Sequence, residues 1–211
     1  MNKIDHIYYI NLDKRPDRNE HVLSNVIPFF NCGDRYTRVS GIDMTHEKCR
    51  HKRAIGCAKS HLHAYELFMQ SDHNMVLIVE DDFTPTVSRD TFQSRLKVLI
   101  DNLPEFSVCN IAYNTDGHEL INVKDNVLFR CSNIQTTSCY LITRRLIHEL
   151  HHVVSRGVDN LENGGHSRPN AIDQAWKSLQ TEDNEWVVID RCGKQLNDYS
   201  DIERRKVSYD C

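Results

Sequence analysis

No apolar run in this chain approaches the roughly 20 residues that a membrane-spanning helix requires, so a helical span is excluded. The opening stretch, MNKIDHIYYINLD, carries charges where a signal peptide would need an unbroken apolar core. It reads as mature protein, and a cytoplasmic location is expected. Neither sign of charge dominates: the net charge is −4 at pH 7. Nothing in that balance suggests the basic domain or stripe that usually marks a nucleic-acid partner, and none is expected. The eight cysteines contain no C-x-x-C pair and are irregularly spaced. Cys57, Cys109 and Cys139 sit inside apolar segments, where a free thiol behaves as a small hydrophobe. Reduced thiols are expected, not a disulfide framework. There are no internal repeats and no low-complexity linker, so residues 1–211 read as one domain. At 39% apolar content the chain has enough hydrophobic residues to build a core.

What is present is an alternation of strand-like and helix-like stretches. His6 to Leu12 reads as a first strand, with Pro16 suited to a loop or to a helix's first turn. Arg35 to Ile42 follows as a short strand. Ile55, Ala58, Leu62, Tyr65 and Met69 fall on one helical face between Ile55 and Met69. Met75 to Val79 is an uninterrupted apolar run, as expected of a strand buried on both faces. A helix from Phe92 to Leu103 ends at Pro104, and a strand follows from Val108 to Tyr113. Val127 to Cys131 and Ser138 to Thr143 read as strands, and Arg144 to Val154 as a helix. Three glycines and two asparagines make Gly157 to Pro169 read as a mobile loop. Ile172 to Leu179 is expected to be a short helix and Trp186 to Ile189 a strand. Such alternation predicts an α/β domain with a mostly parallel central sheet.

Ligands of open α/β sheets bind beyond the carboxyl ends of the strands. The segment VLIVEDDF puts Glu80, Asp81 and Asp82 at that end of the most apolar strand. Three adjacent carboxylates repel one another, a cost that a bound cation removes. Magnesium and manganese are held by a few carboxylates together with phosphate oxygens. The turn is therefore a candidate metal–diphosphate site. The alternative reading is a solvated acidic turn.

Several segments together resemble glycosyltransferase family 25, which includes lipooligosaccharide and procollagen galactosyltransferases. They are Ile10 to Arg18, Ile55 to Leu62, Val76 to Asp82, Thr137 to Ile142, Ile172 to Trp176 and Ser200 to Ile202, in the family's order. The C-terminal part is short for the family. The resemblance implies a GT-A fold, Rossmann-like, using a UDP-sugar and manganese or magnesium. Galactose or glucose would pass, with inversion, to a hydroxyl of a glycan or protein acceptor. By the same resemblance Asn11, Arg15, Arg18 and Asp81 lie with the nucleotide. Ser60 and His61 approach the donor sugar from the start of a helix, where amide donors are exposed. Asp82 is the first metal ligand, with Glu80 at the metal or the ribose. Asp173 is the general base that takes the acceptor hydroxyl's proton, the plainer reading being a helix cap. No histidine follows His166, so Asp190, Gln195 and Asp201 are candidates for a third metal ligand.

Two other classes compete. His148-Glu149-Leu150-His151-His152 satisfies H-E-x-x-H, which on a helix could bind zinc as a metalloprotease does. The extended zincin pattern fails, because Ser155 stands where glycine is required. Glu162 or His166, both expected in the Gly-rich loop, would have to complete such a site. A binding module that kept the fold and lost the chemistry is the third reading, and the intact acidic turn argues against it.

Overall fold

The computed structural model describes residues 4–114, 120–196, 199–200 and 205–206. Asp116, Asp201 and Cys211 lie outside the described residues. The strands in chain order are β1 (His6–Asn11), β2 (Tyr36–Ser40), β3 (Met75–Glu80), β4 (Phe83–Pro85), β5 (Val108–Asn114), β6 (Leu120–Lys124), β7 (Leu128–Cys131), β8 (Gln135–Thr143), β9 (Trp186–Ile189), β10 (Gly193–Gln195), β11 (Tyr199–Ser200) and β12 (Arg205–Lys206). The helices are α1 (Pro16–His21), α2 (Ile27–Phe30), α3 (Lys52–Gln70), α4 (Arg89–Asn102), α5 (Ile147–Glu162), α6 (Ser167–Asn170) and α7 (Ile172–Ala175). A π-helical turn, Val22–Val26, joins α1 to α2, and α7 continues as a 3₁₀ turn over Trp176–Leu179.

Eight strands form one sheet in the order β2-β1-β3-β8-β5-β9-β7-β6. β1, β2, β3, β5, β6 and β9 run one way, and β7 and β8 run against them. Because β8 is inserted antiparallel, its first residues reach the same edge as the ends of β1, β3 and β5. That edge therefore collects Asn11, Glu80, Asn114 and Gln135 from four strands.

The apolar runs are explained by packing on both faces. Alternate residues Ile7, Leu77, Cys109, Leu141 and Val187 join a core with Phe30, Phe92 and Leu99. Their neighbours Tyr8, Val76, Val108, Tyr140 and Trp186 join a second core with Ile55, Tyr65 and Leu150. A strand covered on both sides has no polar face to alternate with, so its sequence reads as continuous.

Two expectations are corrected here. Gly157 to Pro169 is a loop only in part: α5 runs to Glu162, residues 163–166 make the connection, and α6 departs from helical backbone at Arg168 and Pro169. A Cβ on Gly157 would sit 2.6 Å from the Asn170 carbonyl oxygen. That glycine serves the close approach of α5 to the segment ending at Asn170, a use that composition cannot tell from a loop. Likewise α3 begins at Lys52, so Ser60 and His61 lie in its interior and not at its start. Their amides are spent inside the helix and are not the exposed donors of a first turn.

Candidate active site

The strand edge opens into a cavity of about 460 Å³. Glu80, Asp81, Asp82 and Asp173 all line it, with Arg18, Ser60, His61 and Gln195. Asn11 is buried directly behind the acidic turn, while Arg15 is absent from the wall.

Strand pairing explains how the turn is built. In the parallel pairing of β1 with β3, Ile10 stands opposite Glu80, which sets Asn11 beside Asp81. The Asn11 amide donates to Asp81 Oδ2 at 2.7 Å and to the Arg15 carbonyl at 3.0 Å. Its own oxygen accepts from Arg38 Nε at 3.0 Å. Arg18 donates to Asp81 Oδ1 at 3.1 Å and stands 3.7 Å from Asp82. Asp81 is thus fastened by an amide and a guanidinium. Burial still raises its carboxyl above the ordinary value, opposed by Arg18. Arg15 pairs outward with Asp17, 2.8 Å away.

Asp82 is placed differently. Its Oδ2 accepts a long bond from Gln195 Nε2 at 3.3 Å. Its Oδ1 is buried with no hydrogen-bond partner among the described residues. Burial, followed by the charge of Glu80, pushes this carboxyl up to about 7. A buried carboxylate oxygen with no donor is costly, and a hard divalent cation is the ligand that would relieve it. The side chains present therefore fit such an ion, with Asp82 and Glu80 to hold it and Asp81 already engaged by protein. β10 pairs with β4 just after the turn, and the Leu196 amide donates to the Asp82 carbonyl at 2.6 Å. That short pairing brings Gln195 to Asp82, and no apolar pattern announced it.

Glu80 is held by His61 Nε2 at 3.2 Å and by the Thr137 hydroxyl. Burial opposes its ionisation, but His61 and Thr137 outweigh that and hold it below the usual range. Thr137 belongs to a segment of the resemblance, although sequence reasoning gave it no role. Its neighbour Thr136 takes a left-handed backbone, φ 85°, on the cavity wall. A β-branched residue avoids that region, so the fold holds strain at the site.

Ser60 has a double engagement. Its hydroxyl accepts from the Ile42 amide at 2.8 Å and donates to the Gly56 carbonyl at 2.7 Å. It pins residues 41–45, which form one cavity wall, onto α3. Gly56 permits that contact, since a Cβ there would lie 2.5 Å from the Ile42 carbonyl oxygen. Gly56→Ala is expected to destabilise the chain by about 1–3 kcal/mol, the usual cost of overpacking, read as a lowered thermal midpoint. An unchanged midpoint would show that the wall yields freely.

Asp173 faces the cavity from the first turn of α7, where Ala171 is the N-cap and no side chain caps the helix. Burial raises its carboxyl, and the charge of Glu80 adds to the effect. Of the third-ligand candidates, Gln195 touches Asp82, whereas Asp190 pairs with Arg95 off the wall. His148, Glu149 and His152 are exposed on α5 and line no part of the cavity. Glu162 lies in α5, paired with Lys59 at 2.5 Å.

Fold and site together define a class: a mixed α/β domain of the GT-A type, with an acidic turn at the carboxyl edge of its sheet. The family resemblance is met by a known protein. Within a 111-residue match the chain is 29% identical to an Aedes aegypti protein described as a Glycosyltransferase 25 family member. That match covers 43% of this chain and only 18% of the relative's length. No family model matches the chain. A solved glycosyltransferase involved in glycosylation of the major capsid of PBCV-1 superposes with a TM-score of 0.54 at 11% identity. It covers 94% of this chain and 95% of its own. At that identity the likeness establishes the fold. Among the described residues, no helix is long and apolar enough to cross a membrane.

Proposed function

We propose that this chain is a glycosyltransferase that moves a hexose from a UDP-sugar to a hydroxyl of a glycan or protein acceptor, with inversion. The observation that carries the reading is the buried, unpartnered Oδ1 of Asp82, a residue that lines the same cavity as Asp173. The likeness to a family 25 glycosyltransferase supports the same class of reaction.

Asp82 and Glu80 would hold manganese or magnesium. When bound, the ion supplies charge neutralisation to the departing diphosphate. Arg18, already beside Asp81 and Asp82, adds a fixed cation to the same wall. Asn11 keeps Asp81 oriented toward the nucleotide side. His61 and Thr137 keep Glu80 ionised and aimed into the cavity. Asp173, which lines the same cavity, accepts the proton of the attacking hydroxyl.

A thermal-shift screen of nucleotide sugars, with and without manganese, tests the reading. UDP-galactose or UDP-glucose with manganese is expected to raise the midpoint more than either alone. Saturation about a hundredfold above Kd adds roughly 2.7 kcal/mol of stability. The same donors should slowly release UDP without acceptor. A panel in which no nucleotide sugar shifts the midpoint, with or without metal, would sink the proposal.

A further inference from the structure

The cavity holds a second set of donor atoms that the reading above does not use as a set. Cys57 Sγ, a His61 ring nitrogen and a Glu80 carboxylate oxygen all lie within 4.8 Å of one another. We propose that these three residues form a site for a thiophilic divalent cation of the zinc class, adjoining the hard-cation position at Asp82 and sharing Glu80 with it.

Cys57 and His61 are one turn apart on α3, so their side chains emerge on the same face of the helix. Glu80 reaches them from the end of β3, with an oxygen 3.2 Å from His61 Nε2. Zinc bonds of about 2.0–2.3 Å set tetrahedral ligands some 3.3–3.8 Å apart, so small side-chain rotations would close the set. A metal-bound imidazole is generally aimed by a hydrogen bond at its other nitrogen. His61 has that support: Nδ1 lies 2.8 Å from the Tyr140 hydroxyl, itself 2.8 Å from the Tyr65 hydroxyl, in a buried chain. Glu80 is steadied by the Thr137 hydroxyl. A charged ligand with an outer partner, on two different elements, is a built arrangement and not a chance cluster.

Donor chemistry selects the ion. A thiolate and an imidazole favour zinc, whereas magnesium and manganese prefer all-oxygen surroundings. Three protein ligands leave a fourth position, which here opens on the cavity, as in exchangeable and not closed structural sites. Glu80 is shared with the acidic turn, so zinc and the hard cation draw on one carboxylate. The site itself does not depend on the transferase reading.

The test uses the full, reduced, metal-free chain and cobalt(II) as a spectroscopic stand-in for zinc. One equivalent of cobalt should give a thiolate-to-cobalt charge-transfer band in the near ultraviolet, bleached by zinc and not by equal manganese. Cys57→Ser should abolish the band and weaken zinc binding by at least roughly tenfold. Because serine is nearly the size of cysteine, matching circular dichroism and thermal midpoints will certify its fold. The double variant His148→Ala/His152→Ala should keep the band, separating the site from the exposed pair on α5. A wild-type chain without the band, a band that survives Cys57→Ser or is lost with the α5 pair, or displacement by manganese as readily as by zinc would each overturn the proposal.

Discussion

Replacing Asp173 with asparagine is expected to lower acceptor-dependent transfer by roughly a hundred- to ten-thousandfold, the usual contribution of a general base. Donor affinity at saturating manganese should be unchanged. Asparagine keeps the side chain's shape, and no capping bond is lost, because α7 has none from this position. The two measurements therefore separate chemistry from binding. A pH profile adds a third. Burial, with Glu80 behind it, raises the Asp173 carboxyl, so the base is ionised only above a value higher than that of an exposed aspartate. Wild-type transfer should rise with pH through that raised value, and the asparagine variant's residual activity should lack the limb. Normal transfer by a folded variant would reduce Asp173 to scaffolding. The alternatives would then be few: Asp159 is exposed on α5 away from the cavity and Glu162 is paired with Lys59, while Asp116 lies outside the described residues.

Asp82→Asn is expected to act in opposite directions on binding and on stability. Manganese-dependent affinity for the nucleoside diphosphate should fall by more than the roughly 10- to 100-fold that losing an outer-shell partner costs. The metal-free variant should nonetheless be more stable than the wild type at pH 8. In the folded chain burial, followed by the charge of Glu80, pushes the Asp82 carboxyl up to about 7, above the roughly 3.9 of an unperturbed aspartate. The folded state therefore binds the extra proton between those limits. The stability tied to that proton is complete below about pH 4 and is lost as pH rises through about 7. Asparagine removes the buried charge and should recover on the order of 2–4 kcal/mol at pH 8, or roughly 5–10 °C in midpoint. Near pH 4 the two midpoints should converge. Such a pairing of lost binding with gained stability is characteristic of a site kept strained for its ligand. Unchanged manganese dependence would show that Asp82 is not a ligand, and a midpoint lowered at pH 8 would refute the electrostatic account.

The elements most legible in the sequence were those whose signal is local. The runs in β1, β3, β5 and β9 are apolar because both faces are covered, and each was read close to its observed bounds. α3 and α4 followed from their apolar spacing, although α3 starts earlier than its first periodic residue. The acidic turn was legible because it ends the most apolar strand. Where two packed surfaces decide, the sequence was silent. Gly157 looked like a loop residue because the carbonyl it approaches, that of Asn170, is not its neighbour in sequence. The three-residue strands β4 and β10 are too short for a period, and each exists only because the other is present.

The same division runs through the site. By itself the sequence determined that carboxylates gather at a strand's end, that an α/β sheet carries them, and that the family's segments appear in order. Only the tertiary structure decided what each carboxylate does. The β1–β3 pairing delivers Asn11 and, 63 residues from its partner, Arg18 to Asp81, while the β4–β10 pairing leaves Asp82 with one long bond and one orphan oxygen. Three adjacent acids of nearly equal intrinsic acidity thus become one fastened, one held ionised by its donors and one whose ionisation burial and Glu80 oppose. Intrinsic acidity is a property of the residue type, whereas burial, charge and hydrogen bonds are properties of neighbours that the fold brings from distant positions.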